Sequence, residues 1–311
     1  MSPEGRKDFL VRAPTAADLT PVFDLIIACD IADSDQPDTD LVDVQTEWGR
    51  QDFDLAADAW VVQGADGRIV AYADVCPSAG LARVSPLSGV HPDYRRLGLG
   101  TALLRRAEAR AREQAADGAV IMQTVVNDAN AGAKQLMGQE GYRPVRYDWQ
   151  MHIEMAAPPP APQFPAGLTV RTFEPGRDER AVHAVIQESF RDTWSHPDMP
   201  FDVWAQFIFR ENFEPAVSYL VFEGHEMVAA TMCFNYASEG WVRQLGVRRP
   251  WRQRGIGLAL LHQIFGEFYR RGVPRVGLVV DSESLTGATR LYERAGMHAS
   301  HQFNRYQKVA R

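Results

Sequence analysis

The feature that most constrains this chain is an internal duplication. Val90-His-Pro-Asp-Tyr-Arg-Arg-Leu-Gly-Leu-Gly-Thr-Ala-Leu-Leu104 recurs as Val247-Arg-Arg-Pro-Trp-Arg-Gln-Arg-Gly-Ile-Gly-Leu-Ala-Leu-Leu261. The flanks recur in the same order. Val11-Arg12 is echoed by Val170-Arg171, and Ile69-Val70-Ala71 by Met227-Val228-Ala229. Ala133-x-x-Leu136 before Gly141-Tyr142 is echoed by Ala288-x-x-Leu291 before Gly296-Met297. The period is far longer than a solenoid repeat, so the chain reads as one domain written twice.

Ala156-Ala-Pro-Pro-Pro-Ala-Pro162, followed by Pro165, separates the copies. Prolines at this density prevent helix and favour an extended, semi-rigid spacer. The reading is an N-terminal domain over 8–155, a linker over 156–166 and a C-terminal domain over 167–311. Within each copy a first strand precedes a helix, around Ala16 to Ala28 and Asp178 to Phe190. Apolar strands follow (Ala59–Val62 and Ile69–Val75; Ser218–Phe222 and Met227–Phe234), then the glycine motif and a long helix. Ile256, Leu260, Ile264 and Phe268 fall at i, i+4 spacing and predict one buried helix face. A further strand (Val120–Val126; Val276–Val280), a short helix and a terminal strand close each copy, an α/β or α+β pattern of sheet flanked by helices.

Net charge is -7, which gives no overall basic field for nucleic acid or anionic lipid. No stretch has the length of apolar residues a membrane span requires, and Met1 to Arg12 lacks an apolar signal core. Cys29, Cys76 and Cys233 form no C-x-x-C pair, and no two histidines flank a carboxylate at i, i+4. Neither a disulfide framework nor a metal site is expected, and a reducing cytoplasm is the expected compartment.

Arg95-x-x-Gly98-x-Gly100 and Arg252-x-x-Gly255-x-Gly257 each stand between an apolar strand and an amphipathic helix. The first turn of a helix carries unpartnered N–H groups and partial positive charge, and glycines let a phosphate approach the backbone. Together they make an anion cradle suited to a pyrophosphate. Arg95, Arg96, Arg248, Arg249, Arg252 and Arg254 are expected to add positive charge around it. Neither G-x-x-x-x-G-K-[ST] nor G-x-G-x-x-G occurs, so nucleotide loops of those types are excluded.

These segments resemble motif A, [QR]-x-x-G-x-[GA], of the GNAT superfamily of acetyl-CoA-dependent N-acetyltransferases. Val280-Asp-Ser-Glu-Ser-Leu-Thr-Gly-Ala-Thr-Arg-Leu-Tyr-Glu-Arg-Ala-Gly-Met297 resembles its motif B, and the two-copy layout resembles the mycothiol synthase group. The resemblance implies two tandem domains, each a mixed, largely antiparallel sheet flanked by helices. It implies that Arg95, Arg96, Leu97, Gly98, Leu99 and Gly100, with Arg252, Gln253, Arg254, Gly255, Ile256 and Gly257, hold pyrophosphate. Ser88, Gly89 and Val90, with Leu245, Gly246 and Val247, would pair main chain with the pantetheine arm, between two splayed strands. An amine would then attack the thioester directly.

Tyr292 matches the motif B tyrosine that often protonates the leaving thiolate in such enzymes, with an amphipathic-helix aromatic packed in the core as its alternative reading. Met137 replaces it in the first copy. Asn130 stands where family members use an asparagine for the cofactor, and Leu285 or Ser284 replaces it in the second. The resemblance therefore implies chemistry in the C-terminal copy. Glu239 is the candidate general base, with a hairpin surface carboxylate as its alternative reading. Asp192, Trp194 and His196 are candidate acceptor-binding residues, or a plain helix end. Asp30 to Asp40 is a carboxylate run, either a solvated loop or an attractor for a cationic acceptor. The expected partner is a small amine, among mycothiol precursors, antibiotics, polyamines and peptide amines, and the expected state is a monomer or homodimer. A non-catalytic acyl-CoA sensor and a protein lysine acetyltransferase stand as rival functions.

Overall fold

A computed structural model describes residues 9–78, 81–84, 88–114, 120–194, 199–236, 238–284 and 287–310. The first part of the chain runs β1 (Phe9–Arg12), α1 (Leu19–Ser34), α2 (Leu41–Trp48), α3 (Leu55–Asp58), β2 (Ala59–Gly64) and β3 (Ile69–Ser78). Then come β4 (Leu81–Val84), β5 (Gly89–Val90), α4 (Leu99–Gln114), β6 (Val120–Asn127), α5 (Ala131–Gln139) and β7 (Arg143–Glu154). The second part runs β8 (Leu168–Thr172), α6 (Glu179–Phe190), α7 (Phe201–Ile208), β9 (Tyr219–Glu223) and β10 (Glu226–Asn235). It ends with β11 (Gly240–Val247), α8 (Ile256–Arg270), β12 (Arg275–Asp281), α9 (Ala288–Arg294) and β13 (His298–Ala310).

Two compact units result, one of residues 1–147 with 301–311 and one of 148–300. In the first, strands lie in the order β1-β2-β3-β4-β6-β13, with β5 on β3. In the second the order is β8-β9-β10-β11-β12-β7. Each sheet is antiparallel apart from one parallel pair, β4 with β6 and β11 with β12. The mixed, largely antiparallel sheet is therefore present twice.

The closing strands are exchanged. The sequence reading has β7 end the first domain and β13 end the second. Instead, Arg275–Asp281 pairs with Glu154–Asp148 of β7, while Phe303–Ala310 of β13 pairs with Asn127–Val120 of β6.

Each unit buries two apolar layers, one on either face of its sheet. In the second unit α6 and α7 cover one face through Val182, Val185, Ile186, Trp204 and Ile208. On the other, α8 turns inward the face expected from its spacing: Ile256, Leu260, Ile264 and Phe268 are all buried. Full burial of such side chains stabilises by roughly 1.5–3 kcal/mol each. The linker does not hang free, since Pro158 to Pro162 line a shallow recess with His262, Gly266 and Tyr269 of α8.

The duplication extends to the first ion pair of each unit. Arg12 of β1 grips Asp18 with two bonds of 2.7 Å, and Arg171 of β8 grips Asp178 at 2.5 and 2.7 Å. Each aspartate stands just ahead of the first long helix, at its positive end, and ties helix to strand.

Candidate active site

The glycine motifs fold alike to within a few degrees. After a 3-10 turn (Pro92–Tyr94; Arg249–Trp251), Arg95 and Arg252 are extended, with φ of -64° and -65°. Arg96 and Gln253 then take φ of 64° and 61°, and Gly98 and Gly255 take 84° and 87°. Two left-handed residues separated by one turn successive N–H groups toward a common centre, and the helix then adds its own unpartnered first-turn amides. A Cβ on Gly98 or Gly255 would meet nothing within 4 Å, so the space in front of each turn is open. In both units this geometry would suit a pyrophosphate.

The charge around it departs from expectation. Arg95 donates to both oxygens of Asp33, at 2.8 and 3.1 Å, and to the Val90 carbonyl. Arg252 repeats this with Asp192 at 2.8 Å, Ser189 O at 2.9 Å and Val247 O at 3.0 Å. Arg249 also binds Asp192, Arg248 binds Glu188 and Glu226, and Arg254 lies 3.7 Å from Glu223. Arg95, Arg249 and Arg252 brace the turn against the end of the preceding helix, while Arg248 and Arg254 also reach carboxylates on β10 and β9. Backbone amides therefore supply much of the field offered to a phosphate.

The same contacts place other candidates. Asp192 is a clamp on two arginines. Trp194 lies in the turn after α6, and His196 lies outside the described residues. Asn130 accepts from the Ala133 amide at 2.8 Å, capping α5, and donates to Asp33 at 2.7 Å. Among the described residues no side chain does this for α9, whose N-cap is Gly287 with φ 71°. Ser284 instead donates its amide to Asp281 O. The carboxylate run resolves into local structure: Asp35 ends α1 with φ 59°, and Asp40 caps α2.

Behind each cradle the sheet opens. β11 pairs with β12 only at Gly240–Val276 and Trp241–Gly277. Beyond Trp241 no residue of β11 pairs with β12, while its other edge stays on β10, at Thr231–Leu245, Ala230–Gly246 and Ala229–Val247. In the first unit Gly89 and Val90 pair only with β3, and Ser88 Oγ accepts from the Asp74 amide. A free strand edge beside a phosphate cradle suits an amide-bearing arm such as pantetheine.

Tyr292 sits on α9 within the α8 core, 9% exposed, and burial pushes its phenol up to about 12. Its hydroxyl makes no hydrogen bond to the described residues, and it stays protonated at neutral pH. Met137, its counterpart, is buried in the α4 core. Glu239 precedes β11 and is not a free hairpin carboxylate. Arg275 Nε donates to it at 2.9 Å, and His152 Nε2 of β7 lies 3.2 Å away. Burial raises its pKa, but His152 and Arg275 outweigh this and leave it below the usual glutamate value. His152 was missed in the sequence because it lies far from Glu239, beyond the linker. Trp204 on α7 was missed too; it donates to Gln244 Oε1 at 3.0 Å and fills that side of β11. Among the described residues no group of His, Cys, Asp and Glu could hold a metal, and no helix is long and apolar enough to cross a membrane.

Comparison with known proteins agrees with this geometry. Residues 22–142 and 180–297 each match the Acetyltransferase (GNAT) family. A mycothiol acetyltransferase of Salinispora arenicola is 32% identical over 252 residues, covering 76% of both chains. A GCN5-related N-acetyltransferase from Sphaerobacter thermophilus superposes with a TM-score of 0.82 at 40% identity, covering 98% of this chain and 97% of the other. A tandem GNAT protein from the clavulanic acid biosynthesis pathway shares the fold at 17% identity and a TM-score of 0.74, covering 98% and 99%. With two family matches, two cradles and two splayed sheets, the chain belongs to the GNAT acetyltransferase family and carries its domain in tandem.

Proposed function

We propose that the protein transfers an acetyl group from acetyl-CoA to the primary amine of a small molecule, and that the unit carrying Tyr292 does the chemistry. The observation that supports this most directly is that the C-terminal copy carries a protonated phenol, Tyr292, at the motif B position where the first copy carries Met137. The cradle around Gly255 and the edge of β11 would hold the thioester in the gap between β11 and β12, where positioning supplies much of the rate. Tyr292 would give its proton to the departing thiolate. In the other unit the same fold presents Met137, whose thioether has no proton to give, so that unit would bind acetyl-CoA without turning it over.

The relatives named mycothiol acetyltransferase make a mycothiol-type precursor amine the first acceptor to try, ahead of polyamines, antibiotics and peptide amines. Calorimetric titration of acetyl-CoA into wild type, Gly98→Glu and Gly255→Glu proteins tests the assignment, alongside thiol release over that amine panel. Both substitutions put a bulky anion on a left-handed residue at the phosphate. The expected result is loss of one site in each variant and loss of turnover only in Gly255→Glu. Turnover that survives Gly255→Glu and dies in Gly98→Glu would reverse the roles of the units. Tight binding with no turnover of any amine would favour an acyl-CoA sensor.

A further inference from the structure

We propose that His152, carried on the exchanged strand β7, stores the proton taken from the acceptor ammonium and works through Glu239. This rests on the C-terminal unit being the catalytic one. His152 is the register partner of Gly277, and Gly277 is the last residue of β12 to pair with β11 before the strands part. Its ring and that of Trp241 meet edge to face at 5.9 Å over Gly277. A Cβ there would come 2.4 Å from Trp241 and 2.7 Å from His152 Nε2, so only glycine admits both rings. Two residues along β12, on the same face, Val279 is 50% exposed, which leaves the groove beside the pair open.

The hydrogen bonds decide the tautomer. Ser300 donates its hydroxyl to Gln150 O at 3.1 Å, so it accepts at 2.9 Å from His152 Nδ1–H. Nε2 of the neutral ring is then bare and buried, with the Glu239 carboxylate 3.2 Å away, and once protonated it donates to that carboxylate, which is the form that lowers the Glu239 pKa. The charged groups facing the pair are Arg275, on Glu239, and Glu154, which holds Arg275 from its far side at 3.2 Å. Glu239 is 21% exposed and is the member that an acceptor can reach. Held ionised by Arg275, it is a weak base alone, and a basic nitrogen behind it supplies a final resting place for the proton.

The step balances as follows. The ammonium N–H bond breaks and its proton reaches Glu239, which returns to carboxylate as an N–H bond forms at His152 Nε2. The freed lone pair makes the C–N bond to the acetyl carbon, the C–S bond breaks, and Tyr292 protonates the sulfur. The proton shed by nitrogen as the amide forms restores the phenol, and His152 returns its own to water. Glu239 is the catalytic group in this scheme, and His152 is a positioning residue that acts through it.

The test compares pH profiles of kcat/KM for wild type and His152→Gln with the best amine of the panel, and acetyl-CoA affinity by calorimetry. The expected result is a fall of about 100-fold on the plateau with loss of the acidic limb, and unchanged acetyl-CoA affinity. An unaltered profile would overturn the proposal. Nitrogen-15 spectra of the imidazoles, with His152 assigned by its loss in His152→Gln, need no acceptor. In them Nδ1 should carry the proton of the neutral ring, and Glu239→Gln, which removes the neighbouring carboxylate, should displace the Nε2 resonance. An Nε2 resonance that Glu239→Gln leaves in place overturns the relay even if no amine is ever turned over, an outcome that by itself sinks only the proposed function.

Discussion

Tyr292 and Met137 occupy one position of a repeated helix, and the difference between them is one dissociable proton. Because the Tyr292 hydroxyl has no hydrogen-bond partner among the described residues, Tyr292→Phe should leave folding stability and acetyl-CoA affinity near wild type. It should lower kcat by about 10- to 100-fold, read in a thiol-release assay. The duplicated Asp18 and Asp178 make a different prediction. Arg12, opposed by burial and helped by Thr15, holds Asp18 near 2, below its usual value, and Arg171 lowers Asp178 in the same direction. A lowered carboxylate pKa contributes stability that is present above the unfolded value near 3.8 and is lost as pH falls toward 2. After allowance for solvent screening, Asp18→Asn should cost about 1 kcal/mol at pH 7 and little at pH 2, measured by urea unfolding at both. At this scale sequence spacing identified Tyr292, Gly98, Gly255 and the arginines, because a turn or a helix face is set by neighbouring residues. It could not say that Arg95 and Arg252 are spent on Asp33 and Asp192, about sixty residues upstream.

At the scale of elements, the tight join is between the cradle helix and the short helix of motif B. A Cβ on Gly257 would lie 2.9 Å from Leu291 Cδ2, against 3.3 Å between Gly100 and Leu136 Cδ2. Gly257→Ala should therefore destabilise its unit by about 1 kcal/mol, overpacking outweighing the gain in helix propensity. Gly100→Ala should be close to neutral, and denaturant midpoints of the two variants separate the cases. The helix α8 was legible because its apolar residues recur with helical spacing, and α1, α4 and α6 because they occupy matching places in the two copies. α2 and α7 were not, since each is two turns long and follows a polar stretch. Asp40 reads in sequence as one more acid in a run, and only its bond to the Val42 amide makes it a cap.

For the whole molecule the exchange of β7 and β13 has the largest consequence. A cut at the linker gives 1–166 and 167–311, each with the wrong closing strand for its sheet. The first lacks the partner of β6 and the second lacks β7 against β12, which leaves a long unpaired edge in both. Neither fragment should fold alone, and mixing them should restore a cooperative transition and acetyl-CoA binding, followed by circular dichroism and calorimetry. Removal of 301–311 should unfold the first unit although it deletes none of that unit's motif.

By itself the sequence determined that this is a doubled GNAT chain with two phosphate cradles, a proline spacer and a lone motif B tyrosine. Those properties reside in consecutive residues, in the φ a glycine permits and the face a periodicity presents. Tertiary structure alone decided which strand closes which sheet, that Arg95 and Arg252 pair with Asp33 and Asp192, and that His152 stands behind Glu239. Strand pairing is a choice between distant segments of similar apolar pattern, and neither β7 nor β13 carries a local signal for its partner. That choice brings His152 to Gly277, and with it a histidine from before the linker into the site that follows it.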